Sequence, residues 1–230
     1  MLFRSHLRQA VRAHRIDGGW LQLAVDPLHQ ALLRPGPGLL PRPAIWHGVP
    51  RLADLVRHAV LDGALVSSLA ADLAVDRTEE PPSGPSTVPD LVGDAGLHVW
   101  NLAELPLRLV ASGPLARAVL VPPAEVAPGL HRELGRRGLA LRVGAARDLI
   151  ARSWLRGARS QDLALPLCPA LLPPGWLARQ GWRLLPDQEP LPQQLWLLLS
   201  ADLPLALQEH CRRRLLRRCT ALTAHPSRLR

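Results

Sequence analysis

Leu105-Pro106-Leu107-Arg108-Leu109-Val110-Ala111-Ser112-Gly113-Pro114 is the stretch on which the reading of this chain turns. Its first half is a short apolar run of the length expected for a buried strand. Its second half is a cluster of small residues closed by Gly-Pro, which stops that strand in a turn. Downstream the same kind of unit alternates with helical patterns. Residues 118–121 are apolar, and Leu130 to Arg137 reads as a helix with Gly135 and Gly138 near its end. Leu139 to Val143 reads as a strand, Ala145 to Leu155 as a helix, and Leu163 to Leu165 as a strand before Pro166. A turn at Pro173-Pro174-Gly175 leads to a short helix and the segment 182–185. Leu195 to Leu199 is then expected as a last strand and Leu205 to Leu222 as a last, basic helix.

Upstream, the Pro-, Ser-, Thr- and acid-rich stretch 76–96 reads as a loop or crossover. Before it, residues 72–75 read as a short strand, 52–69 as a helix and 43–49 as a strand. Residues 28–33 look helical and stop at the Pro-Gly-Pro-Gly run of 35–38. Leu21 to Val25 is a strand closed by Asp26-Pro27, and residues 3–16 form an amphipathic helix ended by Asp17-Gly18-Gly19. Strands separated by helices predict an α/β chain, and two such halves flanking a proline-rich crossover predict two lobes.

Composition narrows the function classes. The 230 residues suffice for one large domain or two small lobes, and 47% apolar content argues against disorder. Every one of the 28 basic residues is arginine, against 19 acids, giving a formal charge of +9 and a pI near 11.3. Such a balance suits nucleic acid, an anionic membrane or an anionic ligand. It also follows from the codon usage of a high-GC genome, which equally accounts for 24 prolines, one Phe and no Tyr. Cys168, Cys211 and Cys219 form no CxxC pair and have no histidines at zinc-binding spacing, so free, reduced thiols are expected and no metal. No run approaches the length of a membrane span, and the basic N-terminus lacks the apolar core of a secretory signal. A cytoplasmic location is expected.

Several segments together resemble the effector-binding domain of LysR-type transcription regulators. The residues 19–25 (GWLQLAV) resemble the opening strand of that domain, and 71–75 (ADLAV) its "DLAI" strand. Leu105 to Val110 followed by Gly113-Pro114-Leu115-Ala116 is similar to its "LPLxLV…HPLA" stretch. Residues 142–166, ending Leu163-Ala164-Leu165-Pro166, are similar to its "GIALLP" segment, and 193–216 to its closing strand and helix. Two departures stand out. Gly63 and Asp72 are nine apart where the family has Gly-x-x-Asp, and the turn after Leu155 holds one glycine, Gly157.

The resemblance implies a two-lobed α/β fold of the type 2 periplasmic binding protein kind, with mainly parallel sheets flanked by helices. Residues 1–18 would be the end of a linker helix, 19–78 and 167–224 lobe I, 79–166 lobe II, and 225–230 a tail. None of these residues supplies the family's winged helix-turn-helix. The implied partners are a small-molecule effector, a second copy of the chain, and DNA only through that missing module. No cofactor and no catalytic residue is expected.

In such a fold the ligand sits beyond the carboxyl ends of parallel strands, where helix N-termini favour anions. The candidate effector-binding residues are therefore Asp26, Pro27 and Leu28 after the first strand and His47 at the end of the second. Ser112 follows the second-lobe strand, and Gly144 and Ala145 follow the Val143 strand. Asp76 and Pro166 are the expected hinges. Plainer readings stand beside these. Asp26 is also a good N-cap ahead of Pro27, a lone His47 is more often packed or solvated, and Arg147 can sit on a solvated face. The arginines of 212–218 complement a helix dipole as readily as they meet phosphates.

Three other readings remain, the third being a nucleic-acid-binding protein acting through its arginines alone. An enzyme or a solute-binding protein can share the bilobal fold. No Gly-rich phosphate loop, GxSxG or HExxH is present, and no signal peptide.

Overall fold

The computed structural model describes residues 2–25, 29, 39–43, 48–69, 88, 91–113, 116–144, 151–172 and 175–223. Its helices and strands follow in the order α1 (Leu2–Asp17), β1 (Leu21–Val25), β2 (Leu39–Pro43), α2 (Val49–Arg57), β3 (Gly63–Leu69), β4 (Leu97–Glu104), β5 (Arg108–Ala111) and β6 (Ala118–Val121). Then come α3 (Pro128–Arg136), β7 (Ala140–Val143), α4 (Ala151–Ser160), β8 (Leu165–Leu167), α5 (Trp176–Arg179), β9 (Arg183–Leu184), β10 (Gln193–Ser200) and α6 (Leu205–Thr223).

These strands build two lobes. The first lobe is a five-stranded sheet in the order β2-β1-β3-β10-β4. In the second lobe the order is β8-β5-β9, joined to the pair β6-β7 through a parallel bridge between Val119 and Ala164. The parallel pairings β1 with β2, β1 with β3 and β6 with β7 are joined by antiparallel ladders of β10 with β3 and β4, and of β5 with β8 and β9. The antiparallel strands are those adjoining the two passages between lobes. A chain that leaves a lobe and later re-enters it at the same end must run backwards beside the strands already there.

Several expectations change here. The helix read over 52–69 ends at Arg57, and the chain turns through Ala59, whose φ is 57°, into β3. β3 is buried along almost its whole length, so it shows no alternation that separates it from a helix. Gly63, its first residue, is pressed so closely by Leu199, by the Leu198 carbonyl and by Leu23 that a side chain would not fit. β4 was not anticipated. It pairs with β10 in the first sheet, although it lies in the span expected for lobe II. β9 pairs with β5 in the second sheet, although it lies in the span expected for lobe I. Of the strand read over 43–49, Pro43 ends β2, residues 44–47 lie outside the described residues and Val49 opens α2, while the strand read over 163–165 is β8, two residues later. The strand expected at 72–75 lies outside the described residues.

Burial holds the layers together. One cluster runs from Leu21, Leu23, Leu65 and Leu69 through Leu105 and Leu107 to Val121, Leu130 and Leu134, so it is continuous across both lobes. A second, around Leu52, Ala53 and Val56, seats α2 on the first sheet. A third, around Trp154, Leu163, Leu165 and Trp182, covers the second sheet. Each fully buried Leu contributes on the order of 1.5–3 kcal/mol.

Candidate functional site

Strand direction locates the crevice. β1, β2 and β3 run together and end at Val25, Pro43 and Leu69. β10 runs against β3 and begins with Gln193 opposite Leu69, while β4 ends with Glu104 opposite Gln194. The carboxyl ends of the parallel strands of the first lobe therefore face the passage to the second. In the second lobe β6, β7 and β8 run one way and end at Val121, Val143 and Leu167. β5 runs against β8 and enters with Arg108 opposite Leu167. Both lobes thus turn their carboxyl strand ends toward the same junction, the place where open α/β sheets hold ligands.

The junction is a narrow antiparallel ribbon. The Leu105 N–H donates to the Gln193 carbonyl at 2.8 Å, and Leu107 and Leu191 exchange main-chain hydrogen bonds at 2.9 and 2.8 Å. Beside it lies a buried polar pair. His29, four residues beyond β1, is 1% exposed, and its Nε2–H donates to Gln193 Oε1 at 3.1 Å. Gln193 is itself buried. A buried amide whose main chain belongs to the ribbon and whose side chain holds the imidazole ties the first lobe to the passage.

On the facing side, Arg137 at the end of α3 donates to the Glu189 and Pro190 carbonyls at 2.6 and 3.5 Å, and to Glu133 at 2.8 Å. Glu133 is also held by Arg136, and these hydrogen bonds, Arg136 first, keep its carboxyl below the usual range. This anchors α3 to the returning strand of the ribbon. Neither α2 nor α3 carries an acid in its first turn, and neither has a side-chain cap, so their N-terminal amides retain their positive end.

The expected site residues fare unequally. Asp26, Pro27, Leu28, His47, Asp76 and Ala145 lie outside the described residues. Gly144 lies beyond the carboxyl end of β7, and its N–H donates to the Val121 carbonyl at 3.0 Å. A Cβ there would meet the Trp154 ring at 2.5 Å, so its glycine is required by packing. Ser112 follows β5, which runs opposite to β6, β7 and β8, and therefore sits at the far end of the sheet from Gly144 and from the ribbon. The structure does not bring the two together. Pro166 is buried inside β8 opposite Leu109, and the passages between lobes run instead through Leu105–Leu107 and Leu191–Gln193. It is not at the hinge. His29 and Gln193 were missed, because a lone His and a Gln at a strand start carry no pattern.

Away from the crevice, two arginines of α1 converge on a carboxylate. Asp62 is fully buried and accepts from Arg12 Nε at 3.0 Å, Arg15 Nη2 at 2.6 Å and the Gln22 N–H at 2.7 Å. Arg15 also reaches Gln22 Oε1 at 2.8 Å. At the other terminus, α6 buries Gln208, Cys211, Leu215 and Cys219 and keeps Arg213 and Arg217 exposed. Burial pushes the thiol of Cys211 up to about 12 and that of Cys219 to about 11. Among the described residues no group of three His, Cys, Asp or Glu is disposed to hold a metal ion, and no helix is long and apolar enough to cross a membrane.

No protein-family model and no curated protein sequence matches the chain. Solved structures do. The regulatory domain of HypT from Salmonella typhimurium, in its bromide-bound form, aligns with a TM-score of 0.55 at 14% identity, over 87% of this chain and 95% of that one. DarR of Vibrio fischeri, a LysR-family member solved with DNA, gives 0.58 at 14% identity, over 94% and 73%. Full-length LysG from Corynebacterium glutamicum gives 0.52 at 14% identity, over 96% and 73%. With its two lobes, its ribbon junction and its facing strand ends, the chain has the fold of the regulatory domains of LysR-type regulators, similar to type 2 periplasmic binding proteins.

Proposed function

We propose that this chain is the effector-sensing domain of a LysR-type transcription regulator and binds a small, anionic molecule in the interlobe crevice. The observation that carries the proposal is the convergence of carboxyl strand ends from both lobes on the His29–Gln193 pair at the ribbon. The uncapped start of α3, with no acid in its first turn, supports a negatively charged ligand. Gly144 and the crevice residues after β1 remain part of the proposed lining. Ligand binding would shift the lobe arrangement, and a winged helix-turn-helix attached through α1 would read DNA. In this reading α1 is the end of the linker helix. The protein works in the cytoplasm as a homodimer and catalyses no reaction.

The test is a thermal-shift screen of the purified chain against small carboxylates, inorganic phosphate and neutral amino acids. A carboxylate or phosphate should raise the melting temperature in the parent protein and not in Gln193→Ala. Stabilisation by neutral compounds alone removes the anionic assignment. Turnover of any stabilising compound replaces the sensor with an enzyme on the same bilobal fold. Steep salt-dependent DNA binding by these 230 residues would favour nucleic acid as the direct partner.

A further inference from the structure

Gly48 occupies the N-cap of α2 with φ −58° and ψ 159°, torsions open to any residue, so the main chain there does not require glycine. The requirement comes from the opposite lobe. A Cβ on Gly48 would lie 2.6 Å from the main-chain carbonyl oxygen of Glu125, a distance at which something must move. Its next neighbours, the Glu125 carbonyl carbon and Pro50 Cδ, stand at an ordinary 3.7 Å. Among the described glycines this is the one whose missing side chain admits the other lobe.

Neither partner yields easily. Glu125 sits in a tight turn in which the N–H groups of Val126 and Ala127 donate to the Pro123 carbonyl at 3.0 and 3.2 Å. Pro122 and Pro123 stiffen the turn, and His131 Nε2–H donates to the Pro122 carbonyl at 2.6 Å. On the other side, Leu52, Ala53 and Val56 bury α2 in the first lobe. The carbonyl oxygen also meets the positive end of the α2 dipole, so the approach is favourable until contact.

We propose that the abutment of Gly48 on the Glu125 carbonyl is the stop that sets how far the two lobes close. The residue at position 48 then selects the interlobe angle. A methyl group must open the contact by just under 1 Å to reach the 3.4 Å of ordinary packing, and the opening grows with distance from the ribbon. The consequence for effector affinity rests on the function proposed above, whereas the closure itself does not.

The experiment is pulsed electron paramagnetic resonance on the ligand-free full chain carrying spin labels at Val60→Cys and Gly135→Cys. Val60 is exposed in the first lobe, and a side chain at Gly135 in the second meets nothing within 4 Å. The three native cysteines are buried, so labelling falls on the two introduced sites. Gly48→Ala should move the distance distribution outward, and Gly48→Val further. Glu125→Ala should leave it in place, because the stop is main chain. A folded Gly48→Ala protein, checked by circular dichroism, with the parent distribution overturns the proposal. Should Gly48→Ala fail to fold, Pro123→Gly, which loosens the turn carrying the carbonyl, must broaden the distribution, and an unchanged one is equally fatal. A ligand screen without a hit would count against the proposed function and leave these distances standing.

Discussion

The two terminal helices are both rich in arginine, yet they are held by opposite physics. α1 docks through charge: Arg12 and Arg15 are largely covered, and both end on the fully buried Asp62. α6 docks through an apolar stripe of Cys211, Leu215 and Cys219, and its arginines stay at the rim, Arg212 and Arg213 paired with Glu209. Side-chain chemistry alone therefore says little about role. What differs is where the neighbouring sheet offers a carboxylate and where it offers a flat apolar face. A chain that carries arginine and no lysine uses the same residue as anchor at one end and as solvated fringe at the other.

The largest effect should come from the ionic anchor. Arg15→Ala leaves the Asp62 carboxylate buried with one cationic partner, a loss of about 3–5 kcal/mol. Urea unfolding would show it, and hydrogen exchange should find α1 unprotected. An unfolding midpoint near the parent value would mean that the α1 contact is peripheral. Next is the apolar anchor, where Leu215→Ala should cost about 3 kcal/mol by removing a side chain with no exposure. If that loss greatly exceeds the first, the contrast between the helices is one of size and no longer of kind.

The third effect is alkaline. The buried thiols of Cys211 and Cys219 keep their protons to about 12 and about 11, whereas an unfolded thiol releases its proton near 9.0. Between those values the folded state binds more protons than the unfolded state, so stability is whole below pH 9 and falls as pH rises through that window. Cys211→Ala with Cys219→Ala should flatten the decline measured by chemical denaturation from pH 8 to 11. The smallest effect belongs to the fringe. Glu209→Gln removes the partner of Arg212 and Arg213 on an open surface, and the melting temperature at pH 7 should not move measurably.

Several elements were legible because a single physical signal dominates each. β1, β7 and β10 are short apolar runs bounded by turn residues, and α6 carries a continuous helical period. β3 was not, because burial on both faces removes the alternation that distinguishes a strand. β4 was not, because its polar and apolar residues reflect an edge strand with one side of mixed exposure. The crevice was legible as a principle and illegible in detail. Residue pattern does not record strand direction, and the reversal of β5 is what removes Ser112 from the junction. Nor does a pattern record what a single side chain will find across the fold, as His29 finds Gln193 over a separation of 164 positions.

β10 lies between β3 and β4, yet it is the last of the described strands to be made. During synthesis the second sheet can close from one contiguous stretch, while the first waits with a gap at its centre. Until residues 193–200 leave the ribosome, β3 and β4 each present an unpaired edge. Completion of the first sheet therefore waits until every other described strand has been made. Loss of a C-terminal segment reaching β10 would remove the keystone of a sheet and leave two exposed, aggregation-prone borders.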